Sequence, residues 1–242
     1  MHETYTVGYV NTENYRTKTL VLDRPLPAEP GQFAMAWLPG IDEKPYSIAA
    51  DAPLALTVVA VGPFSEAVHR LMPGAELWVR GPLGQGYALP DAPAGKRLLL
   101  IAGGYGVAPL SFLARRAVAA GCVIDLCVGA RTSADVLMTS PFTAMGATVR
   151  ITTEDGTAGS QGMVTQAVDA AVQAERPDVV YACGPVGMLV AVERQCKTHG
   201  LPYQLSWEAQ MRCGMGLCGA CEVRGRPTEG WLACHDGPVE RG

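Results

Sequence analysis

Through most of the first 95 residues, apolar and polar positions alternate or gather into short β-branched blocks. Such blocks recur at 5–10, 17–22, 32–37, 54–61 and 76–79, separated by Pro and Gly, and predict short strands. Prolines at 25, 27, 30, 39, 45, 53, 63, 73, 82, 90 and 93 leave room for a single short helix, over 64–71. Short strands at this spacing predict a small antiparallel β-barrel.

Around 94–95 the pattern changes. A continuous apolar strand at 96–102 runs into Gly103-Gly104-Tyr105-Gly106, and the apolar period then lengthens to that of a helix over 109–120, stopped by Gly121. Strands are expected at 123–128, 148–152 and 179–183, and helices at 163–175 and 187–199. Alternating strands and helices predict an α/β domain, a doubly wound parallel sheet with helices on both faces. The stretch 201–242 is rich in Gly and Cys and too short to bury a core without a metal. The expected organisation is a barrel domain over 1–95, an α/β nucleotide domain over 96–200 and a small C-terminal segment over 201–242.

Charge and composition narrow the function. The 242 residues carry 19 Lys and Arg against 23 Asp and Glu, a formal charge of −4. So slight an acidity, with no concentrated basic face, argues against nucleic acid as a partner. Apolar residues make up 48% and charged residues 17%, which excludes disorder and implies that part of the surface is covered by another protein. No apolar run reaches the roughly 20 residues that span a bilayer. The start, MHETYTVGYV, lacks the basic and apolar regions of a signal peptide, so a soluble, cytoplasmic protein is expected.

Of eight cysteines, Cys122, Cys127, Cys183 and Cys196 are scattered, whereas Cys213, Cys218, Cys221 and Cys234 crowd into 22 residues. In a reducing compartment such a cluster reads as a metal site before it reads as disulfides. The spacing C-x4-C-x2-C, followed after twelve residues by a fourth Cys, is that of plant-type [2Fe–2S] centres. Glycines 214, 216 and 219 let the backbone wrap the cluster closely and aim N–H groups at sulfur. Zinc is the plainer alternative. It prefers two separated ligand pairs, whereas here three ligands share one loop.

A cluster that moves single electrons needs an electron source. The run LLLIAGGYGVAP, 98–109, is a strand, a glycine turn and a helix start, suited to a pyrophosphate at helical N–H groups, although such turns also serve plain packing and the strict G-x-G-x-x-G spacing is absent. A second turn, Cys183-Gly184-Pro185, also lies between strand and helix, and Cys183 can equally be a small buried hydrophobe. In the barrel half, Lys44-Pro45-Tyr46-Ser47 lies between two expected strands. It is either a surface stretch with a loop proline or a flavin segment, with Tyr46 on the ring system, Ser47 near its reactive nitrogen and Lys44 on phosphate. The loop GPLGQG, 81–86, is a barrel turn or a further flavin contact.

KPYS, GPLGQG, GGYGVAP, CGP and CGMGLCGAC, in that order, resemble the ferredoxin reductase superfamily. Within it the chain is most similar to the electron-transfer (iron–sulfur) subunits of type B dihydroorotate dehydrogenase, over nearly its whole length and including ACHDGPV at the fourth cysteine. The resemblance implies FAD on the barrel, NAD on the α/β domain and one [2Fe–2S] cluster. It assigns Lys44, Pro45, Tyr46 and Ser47, with Val61, Gly62 and Ser65, to FAD. Gly103, Gly104, Gly106 and Pro109, with Cys183, Gly184, Pro185 and Met188, fall to NAD, and Cys213, Cys218, Cys221 and Cys234 to the cluster. Ser47 and Cys183 would stand nearest the reacting atoms. Lys44 replaces the family's Arg, Phe64 and Ser65 stand where Gly-Thr is common, and Ala102 replaces a glycine.

The implied activity is NAD-linked electron transfer in pyrimidine biosynthesis, in a hetero-oligomer with an FMN-containing catalytic subunit that oxidises dihydroorotate. The same module could serve as the diaphorase subunit of a hydrogenase or transhydrogenase, as a standalone NAD(P)H reductase, or as a non-enzymatic scaffold. Arg131 stands where an NADP 2′-phosphate is read but is equally a surface charge, and Asp125, inside an apolar strand, is not expected to hold ribose. Glu208 either lines the flavin or is solvated, and His2, His69 and His199 are expected as ordinary surface or core side chains.

Overall fold

The alternating blocks of the N-terminal half form strands that close on one another. These are β1 (Glu3–Asn14), β2 (Thr17–Leu22), β3 (Phe33–Leu38), β4 (Asp42–Asp51) and β5 (Leu54–Val59), then, after helix α1 (Pro63–His69), β6 (Glu76–Leu83). All pairings are antiparallel and the order is β1-β2-β5-β4-β3-β6, a closed barrel with no free edge. Tyr5, Leu20, Met35, Ile48, Leu56 and Leu77 fill its interior. The structure is a computed structural model that describes residues 1–226 and 228–242.

Sequence reading did not assign a strand to 42–51, because Pro45 interrupts the pattern. The structure corrects this: Pro45 lies within β4 opposite Met35, and proline's fixed φ is compatible with an extended backbone.

The second half begins with β7 (Arg97–Gly103), a single 3-10 turn at Gly104–Gly106, α2 (Val107–Ala119) and β8 (Val123–Ala130). It continues through α3 (Thr139–Ala144), β9 (Thr148–Thr153), β10 (Ser160–Gln161), α4 (Val164–Ala174), β11 (Val179–Cys183), α5 (Val186–His199), β12 (Tyr203–Ser206) and β13 (Val239–Arg241). The sheet order is β10-β9-β8-β7-β11-β12-β13. Leu98, Leu100, Leu126 and Val128 pack with Leu110 and Leu113 of α2 on one face. On the other face α4 comes so close to β8 that a Cβ at Gly129 would lie 2.7 Å from Val164. The expected all-parallel sheet needs one correction: β13 is antiparallel to β12, with Gln204 opposite Arg241. Three residues at the end of the chain carry no period that would announce a strand, and a partner 37 positions away supplies it.

The chain groups into two compact units, residues 1–86 with 209–238, and 87–208 with 239–242. The stretch expected as one segment, 201–242, is therefore shared. Its ends join the sheet and its cysteine-bearing middle joins the barrel.

Candidate functional site: a thiol loop on the barrel and paired glycine turns in the sheet

Three glycines of the cysteine loop, 214, 216 and 219, have φ of +68°, +78° and +69°, which an L side chain rarely adopts. These turns place the Gly216 N–H 3.1 Å from Cys234 Sγ. The Cys221 thiol lies 3.2 Å from Cys234 Sγ, and both residues are buried. Cys213 forms the other pair with Cys218. The Met215 N–H above all, then those of Cys218 and Leu217 with the Cys218 thiol, pull the Cys213 thiol down to about 6 against its desolvation. Burial and the neighbouring Cys221 push Cys234 up to about 12. Among the described residues no three His, Cys, Asp or Glu side chains converge on one ion. Two thiol pairs with backbone N–H groups aimed at sulfur are what a centre of two irons, each held by two thiolates, requires, so the donor set fits [2Fe–2S].

The loop rests on the barrel. A Cβ at Gly214 would lie 3.2 Å from Met35 and 3.4 Å from Leu83. Gln85 N–H donates to the Gly237 carbonyl at 2.5 Å, and Arg80 Nη2 donates to the Cys213 carbonyl at 2.7 Å. Sequence reasoning missed Arg80, whose only signal was a cation ahead of the GPLGQG turn.

The KPYS segment, residues 44–47, lies on β4. Tyr46 stacks near Phe64, centroids 6.3 Å apart and planes 22° apart, and burial pushes its hydroxyl up to about 12. Pro45, Tyr46 and Ser47 are half-buried, and the Ser47 hydroxyl makes no hydrogen bond among the described residues, which suits a ring-binding surface. Lys44 is exposed and paired with Asp42 at 2.5 Å, so a phosphate there would compete with that carboxylate. Val61 is exposed, and no atom lies within 4 Å of a Cβ at Gly62. Ser65 is different. It is buried, and its Oγ accepts from the Val61 and Gly62 N–H groups at 2.9 and 3.1 Å and donates to the Gly62 carbonyl at 3.0 Å. Its hydroxyl shapes the 61–65 turn.

In the α/β unit the two glycine turns interlock. A Cβ at Gly103 would lie 2.6 Å from Pro185 and 2.8 Å from Met188, and one at Gly106 would collide with the Cys183 carbonyl. A Cβ at Gly184 would lie 2.9 Å from Gly103 N. These glycines are required by the contact between turns. Gly104 is the exception: with φ +54° and open space above it, it leaves the backbone approachable. Pro109, on α2, and Met188, on α5, are buried.

Cys183 is buried and its thiol is pushed up to about 12, first by desolvation and then by the Glu208 charge, against a hydrogen bond with Ser206. It is a neutral thiol at physiological pH. Tyr105 is half exposed, and its hydroxyl lies 3.4 Å from Glu208, whose carboxyl is raised by desolvation. Asp125 is held by Arg97 at 2.7 Å. His2, His69 and His199 are held by Glu43, the Val58 carbonyl and Asp169. Arg131 is exposed.

A closed barrel, a doubly wound sheet with paired glycine turns and a C-terminal thiol loop define an oxidoreductase of ferredoxin reductase-like fold. The NADH-dependent reduced ferredoxin–NADP oxidoreductase, a protein of flavin-based electron bifurcation, has the same fold. Its TM-score is 0.85 and its identity 28%, over 98% of this chain and 87% of that one. Residues 100–194 match the oxidoreductase NAD-binding domain, and residues 208–242 match the iron–sulfur cluster binding domain of dihydroorotate dehydrogenase B. The chain is 39% identical over 228 residues to the "probable dihydroorotate dehydrogenase B (NAD(+)), electron transfer subunit" of Methanopyrus kandleri, covering 92% of this chain and 84% of the relative. The protein of the same name from Methanocaldococcus jannaschii is 36% identical over 227 residues, with 94% and 84% covered. The chain belongs to the family of dihydroorotate dehydrogenase B electron transfer subunits.

Proposed function

We propose that this chain carries electrons between the dihydroorotate-oxidising catalytic subunit of a dihydroorotate dehydrogenase B and NAD(+), in pyrimidine biosynthesis. It would use a [2Fe–2S] cluster held by Cys213, Cys218, Cys221 and Cys234, and FAD on the barrel. The observation that carries this reading is the two thiol pairs on a loop whose backbone N–H groups point at sulfur. Bound flavin supplies the conversion between a hydride, exchanged with a nicotinamide, and the single electrons a cluster accepts. The chain's own residues hold and orient. Tyr46 offers its ring and Ser47 an unused hydroxyl to a flavin, with Lys44, Val61 and Gly62 flanking. Ser65 keeps the turn in shape for that contact.

The Gly103–Gly106 and Cys183–Pro185 turns present backbone N–H groups to the dinucleotide, with Pro109 and Met188 on the helices that follow them. Neutral Cys183 excludes water and carries no charge against a nicotinamide. The Glu208 carboxylate near Cys183 and Tyr105 would favour a positively charged oxidised ring, which with the coenzyme named for the relatives supports NAD(+) as acceptor. Among the described residues no helix is long and apolar enough to cross a membrane, and the composition supports a cytoplasmic site of action. An FMN-containing partner in a hetero-oligomer would supply the oxidation of dihydroorotate.

The test is anaerobic co-purification with a dihydroorotate-oxidising catalytic subunit, with flavin typing of each chain and assay of iron and acid-labile sulfide. The expected outcome is FAD, two irons and two sulfides on this chain, FMN on its partner, and NADH formation from dihydroorotate by the complex alone. Oxidation of dihydroorotate by the isolated chain, or absence of iron and sulfide, would overturn the reading.

A further inference from the structure

Arg80 lies on β6, opposite Met35 of β3, and Glu43 lies on β4, opposite Trp37 of β3, so the two side chains meet across the middle strand. Arg80 Nε and Nη2 donate to the two Glu43 carboxylate oxygens at 2.7 and 3.1 Å, a bidentate pair. The same Nη2 donates to the carbonyl of Cys213 at 2.7 Å. The Arg80 side chain is only 12% exposed and that of Glu43 24%. In such a site charges are screened much less than at the surface. His2 Nε2 lies 2.7 Å from Glu43 Oε1, the same oxygen that accepts from Arg80 Nε. Of the other charges nearby, Lys44 is paired with Asp42 on β4, and Arg212, exposed, directly precedes Cys213 in the loop.

We propose that Arg80 is a positioning residue for the cluster: it anchors the peptide of the first thiolate ligand to the barrel and, in opposition to Glu43, sets the reduction potential of the centre. This rests on the [2Fe–2S] reading above. The physical argument is one of sign. An added electron makes the cluster more negative, and a guanidinium one peptide away from Cys213 stabilises that form, whereas the Glu43 carboxylate behind it opposes. In a purely structural clamp, losing Arg80 removes the anchor on Cys213 and losing Glu43 loosens that same anchor, so both changes would move the potential in one direction. An electrostatic role makes their effects opposite.

The experiment is a potentiometric titration of the iron-loaded, partner-bound protein, followed by the EPR signal of the reduced cluster, for wild type, Arg80→Gln, Glu43→Gln and Arg80→Lys. Arg80→Gln is expected to lower the reduced-to-oxidised ratio at a fixed ambient potential about tenfold, a fall of about 59 mV for one electron. Glu43→Gln is expected to move the potential upward, and Arg80→Lys to recover most of the wild-type value. Shifts of the same sign in Arg80→Gln and Glu43→Gln, or no shift in either, overturn the proposal. If Arg80→Gln fails to hold iron, the remaining pair decides: a rise in Glu43→Gln with a near-normal Arg80→Lys supports it, and an unmoved Glu43→Gln overturns it. Iron and sulfide assays on the wild type separate the two levels. A wild type without them fails the cluster reading, whereas a loaded wild type with unmoved variants fails only the role of Arg80.

Discussion

Ser65 shows how one hydroxyl can serve a site without touching a ligand. Its Oγ satisfies two backbone N–H groups that would otherwise end unpaired ahead of α1, and it returns a hydrogen bond to the Gly62 carbonyl. Ser65→Ala is expected to cost about 1–2 kcal/mol, read as a lower urea midpoint with unchanged slope. It should also weaken flavin retention on gel filtration, because the 61–62 backbone loses its shape. Ser65→Thr, which keeps the hydroxyl, should cost less if the added methyl is accommodated. The residue types at 44–47 and 61–65 were legible in the sequence, but the partners were not. Nothing in a linear reading says that Lys44 is paired with Asp42 two positions away, or that the Ser65 hydroxyl is already engaged.

At the scale of elements, the two glycine turns form one unit. Sequence placed each at the carboxyl end of a strand, and β7 and β11 are indeed neighbours, with Ile101 opposite Ala182. What the sequence could not show is why each glycine is there. Gly106→Ala would drive a methyl into the Cys183 carbonyl. It is expected to push the turns apart and raise the NAD dissociation constant at least tenfold, measured by calorimetry, while iron content stays at wild-type levels. Gly104→Ala meets no neighbour and carries only the strain of φ +54°, about 1 kcal/mol. Its effect on NAD affinity should be smaller than that of Gly106→Ala. Equal effects would mean that the approach to the ligand, and not the contact between turns, sets the requirement. The missed strands have the same kind of cause. β4 was hidden by Pro45, and β13 by its brevity.

For the whole molecule, the buried thiols outside the cluster loop set a limit at alkaline pH. Burial pushes Cys127, Cys183 and Cys196 up to about 12 in the folded chain, from the ordinary 9.0. Below about pH 9 both folded and unfolded chains keep these protons, and stability is unaffected. Between about 9 and 12 the unfolded chain releases them and the folded chain does not, so stability falls with rising pH, by about 1.4 kcal/mol per pH unit for each thiol. Thermal melts from pH 8 to 11 should show a flat region and then a steep fall, and Cys196→Ala should make that fall shallower. A Tm that stays level to pH 11 would count against the burial of these thiols.

Local chemistry was legible in the residue order: alternating blocks that make barrel strands, apolar strands ending in glycine turns, and four cysteines at a spacing that wraps a small cluster. These signals act over a few residues, where periodicity, allowed φ and ligand reach are decided by covalent geometry. Which groups meet at long range was settled by the fold. It divided the last stretch between two units, added an antiparallel edge strand, and brought Arg80 to a carbonyl 133 positions away. Such contacts depend on how strands order themselves around a closed barrel, and that order is set by burial summed over the whole chain, which no local pattern encodes.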